Sequence, residues 1–261
     1  IIEANSLDGL TGKIEIFAHG GTAEIGGTIT AVDGFVETSG KEFTIQEGTV
    51  VKAGEWLIDP TDITIDAALA STLEGQLSTG SATVTTVSVG GDAGDITVSS
   101  DITWATAQKL TLHADRNIYV NANITASNAA GKVQLEYGQG AVAAGNTATY
   151  DFGLTSSGFT GSINLQAGQN FSTKLGNDVA QTDWEVITEL GVEGDNITTI
   201  GDNATGLTTT GDITLQGLAT TGNLGKNIVL GGNIIFDKTS GTITDVTTWN
   251  SGAGFTSIGM F

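Results

Sequence analysis

The sequence predicts an all-β fold, a β-solenoid with coils of about 22 residues, and three observations carry that expectation. Short runs alternating apolar with polar residues, rich in Val, Ile and Thr, fill the chain and are bounded by Gly, Asn and Asp. Separate stretches match one another at a fixed offset. Glycine reaches 38 of 261 residues, about twice its usual share, while proline occurs once, at Pro60. Stacked coils need glycine at tight corners and tolerate almost no proline, because each strand must donate its N–H groups to a neighbour.

Taken in order, the strand signals begin with Lys13-Ile14-Glu15-Ile16-Phe17 and continue through Asp95-Ile96-Thr97-Val98, Leu110-Thr111-Leu112 and Ile213-Thr214-Leu215. Each has the period-two pattern of a strand with one buried face. The self-match aligns Ile96-Thr97-Val98 and Ile102-Thr103 with Ile118-Tyr119-Val120 and Ile124-Thr125, an offset of 22 (118 minus 96). Lys109-Leu110-Thr111-Leu112 recurs as Lys132-Val133-Gln134-Leu135, offset by 23 (132 minus 109). A jelly roll or sandwich is the competing fold, but it would not require this repeat. At the inter-strand spacing of about 4.8 Å, roughly 12 coils would stack to about 55 Å.

The best helical candidate, 67–76, is short and has a weak apolar stripe. Two stretches fit the repeat poorly: 66–88, rich in Ala, Ser and Thr, and 191–211, dense in Gly, Asp, Asn and Thr. Both are expected as long loops or irregular coils projecting from one continuous segment spanning 1–261, with recognition or no role as the two readings. The start at Ile1-Ile2 rather than Met leads us to expect a piece of a longer chain.

Charge narrows the partners. Nine basic against 29 acidic residues leave a net charge of −20, and Arg116 is the only arginine. Nucleic acid and anionic membrane surfaces are disfavoured. With no cysteine, disulfides and thiolate metal sites are excluded. No apolar run approaches the roughly 20 residues of a membrane-spanning helix, so no membrane insertion is expected.

Gly34-Phe35-Val36-Glu37-Thr38-Ser39-Gly40, followed by Glu55-Trp56-Leu57-Ile58-Asp59-Pro60, resembles a hallmark of the filamentous-haemagglutinin-like, two-partner-secreted exoproteins. These are large adhesins of Gram-negative bacteria. Asp33 stands where the family pattern often has glycine, and Ile58 where it often has leucine. Ala114-Asp115-Arg116-Asn117-Ile118-Tyr119-Val120-Asn121, Glu185-Val186-Ile187-Thr188-Glu189-Leu190-Gly191 and Trp249-Asn250-Ser251-Gly252-Ala253-Gly254-Phe255 are similar to further recurrent segments, in the same order. The resemblance implies a right-handed parallel β-helix, and the handedness comes from it alone. It also implies extracellular or cell-surface location, export through an outer-membrane transporter recognised by other parts of the parent chain, and roles in adhesion, biofilm formation or as the stalk of a contact-dependent toxin.

Within that frame the motif residues Gly34 to Gly40, Glu55, Trp56, Leu57, Asp59 and Pro60 read as structural, with Trp56 covering apolar core and Asp59-Pro60 making a turn. The alternative is a carbohydrate- or receptor-binding module that contacts an exopolysaccharide or host-cell receptor through Trp104, Asp195 and Asn196. A third reading is a polysaccharide-degrading enzyme using Asp59, Asp62 and Asp66, of which Asp62 and Asp66 share strand parity. No basic residue except Lys52 lies within ten positions of these carboxylates, and neither His19 nor His113 adjoins a nucleophile motif, so no catalytic residue is assigned. Gly90-Gly91-Asp92-Ala93-Gly94-Asp95 and Gly194-Asp195-Asn196 offer hard oxygen ligands of the kind Ca²⁺ takes. They do not keep the iterated calcium-repeat spacing, so solvated turns are the expectation, with no metal or other cofactor.

Overall fold

The computed structural model describes residues 1–6, 10–88, 93–140, 146–176, 178–188, 215 and 226–232. The strands are β1 (Ile2–Glu3), β2 (Lys13–Ile25), β3 (Thr28–Ile45), β4 (Val50–Asp59) and β5 (Ile63–Ile65), followed by a helix, α1 (Ala67–Leu77). Then come β6 (Ser81–Thr85), β7 (Ile96–Val98), β8 (Ile102–Trp104), β9 (Lys109–His113), β10 (Ile118–Val120), β11 (Asn123–Ala126) and β12 (Lys132–Tyr137). The remainder are β13 (Tyr150–Asp151), β14 (Leu154–Thr155), β15 (Gly158–Phe159), β16 (Ser162–Leu165), β17 (Gly168–Leu175), β18 (Thr182–Ile187) and β19 (Ile228–Leu230). The chain forms two compact units, Ile1–Asn164 with Ser172–Thr182, and Leu165–Phe171 with Asp183–Phe261. The protein is all-β in class; β2–β3, β3–β4, β7–β10, β8–β11, β9–β12 and β18–β19 pair in parallel, and β14–β15 is an antiparallel hairpin.

In the first unit the chain visits three parallel sheets in turn. One sheet runs β3-β4-β6-β9-β12, with β1 and β2 together on the outer edge of β3; a second runs β5-β7-β10-β13; a third joins β8 to β11 and β16. The expected register is the one found. Ile96 pairs with Ile118, Ile102 with Ile124, and Lys109 with Lys132. Parallel pairing buries strands between coils, and inward side chains form continuous rows. Val36, Trp56, Ala82, Leu110 and Val133 make one row, and Thr38, Ile58, Val84, Leu112 and Leu135 the next. All ten are essentially buried. Each fully buried aliphatic side chain contributes about 1.5–3 kcal/mol.

The stretch 66–88 is not a projecting loop. It holds α1 and β6, and β6 lies inside the first sheet between β4 and β9. Asp66 N-caps the helix, its Oδ1 accepting from the Leu69 N–H at 3.0 Å. Leu69, Ala70, Leu73 and Leu77 are buried on one side, with Thr72 and Gln76. α1 occupies the place in the coil where a strand of the third sheet would come. There it covers the edge of β8: Glu74 Oε1 accepts from the Thr103 N–H at 2.8 Å, and the Thr106 hydroxyl donates to the Leu77 carbonyl. An exposed strand edge is a template for unwanted pairing, and α1 removes it.

In the second unit, β18 and β19 pair in parallel through Glu185–Ile228, Val186–Val229 and Ile187–Leu230. The stretch 191–211 lies outside the described residues.

Candidate functional site

The outward face of the first sheet is interrupted by a bulge that builds a groove. Ala18 pairs with Gly40 and Thr22 with Glu42, so His19, Gly20 and Gly21 stand opposite Lys41 alone. Such a bulge bends the strand and re-aims its side chains. Gly20 has φ 72°, a left-handed conformation that glycine adopts without strain. The outcome is an aromatic shelf: the Phe17 and His19 rings lie nearly parallel, interplanar angle 20°, centroids 5.7 Å apart. Phe17 is 45% exposed.

Beside the shelf, the register sets Phe17 against Ser39 and Ser39 against Asp59. A groove of about 420 Å³ opens there, lined by Phe17, His19, Lys41, Asp59, Pro60 and Val87 among others. Backbone bonds fix its floor. Thr61 donates to the Lys41 carbonyl through its N–H (3.2 Å) and hydroxyl (2.8 Å), and the Val87 N–H donates to the Pro60 carbonyl at 3.2 Å.

Asp59 is the distinctive charge. Burial raises its carboxyl above the ordinary range, Glu37 and Asp115 push it further up, and His113 opposes them. Among the described residues no hydrogen bond or ion pair reaches the Asp59 carboxylate. Its acidic neighbours are engaged: Glu37 Oε1 accepts from Ser39 Oγ at 3.1 Å, and Asp115 Oδ2 from the Ser88 N–H at 2.6 Å. Further along the same outward row, His113 Nδ1 bonds Glu136, whose other oxygen accepts from Gln134 at 2.6 Å. The hydrogen bond from His113 holds the Glu136 carboxyl below its ordinary range, outweighing burial.

The structure sorts the residues singled out from sequence. Gly34 is packed so closely that an added Cβ would sit 2.3 Å from the Gly12 carbonyl oxygen. Phe35 faces outward beneath the Lys13 ammonium, 5.6 Å from the ring centre. Val36 and Thr38 point inward and Glu37 and Ser39 are half-exposed outside, while Gly40 lines the groove. Glu55 and Leu57 sit on the outer side, with Glu55 accepting from Thr83 Oγ1 at 3.4 Å. Trp56 is fully buried, its Nε1 donating to Thr38 Oγ1 at 3.0 Å. Asp59 and Pro60, read as a turn, are brought together at the groove.

Trp104 requires correction as a ligand-stacking residue. It is 3% exposed, shares the inward parity of Ile102, and donates from Nε1 to the Gln108 carbonyl at 3.1 Å. Asp195 and Asn196 lie outside the described residues. Asp62 and Asp66 do share an exposed face, but both carboxylates serve the backbone: Asp62 Oδ1 accepts from the Asp95 N–H at 2.7 Å, and Asp66 caps α1. Burial raises the Asp95 carboxyl, yet hydrogen bonds from Arg116 and the Asn117 backbone hold it below its ordinary range. Among the described residues no cluster of three or more His, Asp or Glu is placed to hold a metal ion.

Sequence reading did not find Phe17, His19 and Val87 as site residues. The signal was present in Gly20-Gly21 interrupting an alternating strand, the mark of a bulge. Compared with family models, curated proteins and solved structures, the chain matches none.

Proposed function

We propose that the chain is a shaft segment of a secreted, cell-surface bacterial adhesin, built as a right-handed parallel β-helix. The observation that carries this reading is the cyclic path through three parallel sheets, β7-β8-β9 followed by β10-β11-β12, with strand partners 22 or 23 residues on (118 minus 96; 132 minus 109). The resemblance of the Gly34 to Gly40 and Glu55 to Pro60 stretches to two-partner-secreted exoproteins supports the context and the hand. In this role the segment performs no chemistry. Inward rows and laterally paired backbones resist deformation, and carry parts of a longer chain away from the cell. The net charge of −20 keeps neighbouring segments apart.

Antibodies raised against this segment test the reading on the producing cells. The expected result is labelling of intact cells or culture medium, abolished when the cognate outer-membrane transporter is deleted. Antigen confined to the lysate of transporter-positive cells would contradict it.

A further inference from the structure

A scaffold alone does not require the groove at the bulge. At the bulge, where β2 has two residues in excess of β3 between Ala18 and Thr22, Phe17 and His19 stack as a shelf, and the groove beside it has the size of a small-molecule site, within the usual range of about 300–1,000 Å³. An exposed aromatic ring with a polar edge beside it suits a pyranose ring, which buries its C–H face and keeps its hydroxyls wet.

Charge selects among sugars. The groups acting on Asp59 are Glu37 from β3 and Asp115 after β9, which repel it, and His113 at the end of β9, which opposes them. Lys41 also lines the groove but is not among those groups, and His19 forms the shelf. Both acidic neighbours already accept hydrogen bonds, whereas Asp59 has no partner among the described residues. An acidic glycan would set its own charge against Asp59, with Glu37 and Asp115 behind it. A neutral one would leave the Asp59 charge uncompensated. A bare divalent cation would find one free carboxylate where Ca²⁺ takes six to eight oxygens.

We propose that this groove binds a glycan carrying a free amine, with a pyranose face on the Phe17–His19 shelf and its ammonium against the Asp59 carboxylate. The assignment is independent of where the parent chain resides. It predicts a pattern that a purely structural role for Asp59 would not give. Removing the charge weakens ligand binding while leaving the fold as stable or more so, because Asp59 is desolvated beside like charges in the free protein.

The test is calorimetric titration of the whole chain at pH 6 with a glucosamine trisaccharide, its N-acetylated counterpart and trilysine. Saturable binding of the glucosamine form is expected, at least about tenfold tighter than either comparator. Asp59→Asn and Phe17→Ala should each weaken it by about tenfold or more, with the Asp59→Asn melting temperature unchanged or raised. Equal binding of the N-acetylated sugar would overturn the amine assignment, and equal binding of trilysine the glycan assignment. Absence of saturation up to millimolar ligand by the folded wild-type chain, or binding indifferent to both substitutions, would overturn the site.

Discussion

Trp56 shows what a single residue does here. Its ring lies in an inward row between Val36 and Ala82, and the small Ala82 leaves room for the indole. Burial would strand its N–H were Thr38 not beside it on the next strand. Trp56→Ala should therefore cost about 3–5 kcal/mol in a urea unfolding titration. Thr38→Val, which keeps the shape but orphans the indole N–H, should cost about 1–3 kcal/mol. Asp33 has φ 55° at the second bulge, where β3 has Val32, Asp33 and Gly34 against Gly54 alone. Asp33→Val should lose about 1–2 kcal/mol by thermal denaturation, and Asp33→Gly should be neutral or stabilising. The core role of Trp56 was legible from its place among strand signals. Trp104 was legible by the same parity with Ile102, but the polar Thr103 and Thr106 nearby drew it to the surface. Local polarity is a poorer guide than period in a two-faced strand.

At the scale of elements, α1 does what a strand could not. Ala53 lies beyond the β4–β6 ladder, which begins at Glu55–Ser81. The fully buried Gln76 amide stands in for the missing neighbour: its Oε1 accepts from the Ala53 N–H at 2.9 Å, and its Nε2 donates to the Ala53 and Ser81 carbonyls at 3.0 and 2.9 Å. Gln76→Met preserves most of the volume and removes all three bonds, so it should cost about 2–5 kcal/mol in the same titration, nearly as much as Gln76→Ala. A loss confined to Gln76→Ala would assign the role to packing instead. The helix was hard to see because Ala, Ser, Thr and Gly75 dilute its stripe, and its buried set includes the polar Thr72 and Gln76. The strands were legible for the opposite reason. Their Ile, Val and Leu recur on alternate positions and again one coil later, so two periods agree.

For the whole molecule, the outward carboxylates set the response to pH. Asp95 and Glu136 are held below their unfolded values, so their contributions are present above about pH 4 and vanish as the pH falls through the lower folded values. Asp59 has the reverse sign. Its carboxyl is raised, so its contribution is fullest below about pH 4 and is lost as the pH rises through the folded value. The urea midpoint should thus drop on acidification below about pH 4, less steeply in Glu136→Gln, and the decline as the pH rises from about 4 through the raised Asp59 value should flatten in Asp59→Asn. The coil register was readable because self-similar strands must stack in register to bury their shared inward set. The groove was not, because it depends on a bulge in the middle of β2 and on residues that β2, β3, the end of β4 and the segment after β6 bring together.

Paired cysteines introduced into a chain with none test the coil register in solution. Thr103 and Thr125 are direct partners on β8 and β11, where parallel neighbours lie about 4.8 Å apart, within disulfide reach. Under mild oxidation, Thr103→Cys with Thr125→Cys should close an intramolecular disulfide, read by intact mass. Thr103→Cys with Ser127→Cys, shifted two residues along the same face, should stay reduced. Failure of the first pair to close, or equal closure of both, would contradict the stacked, in-register coils.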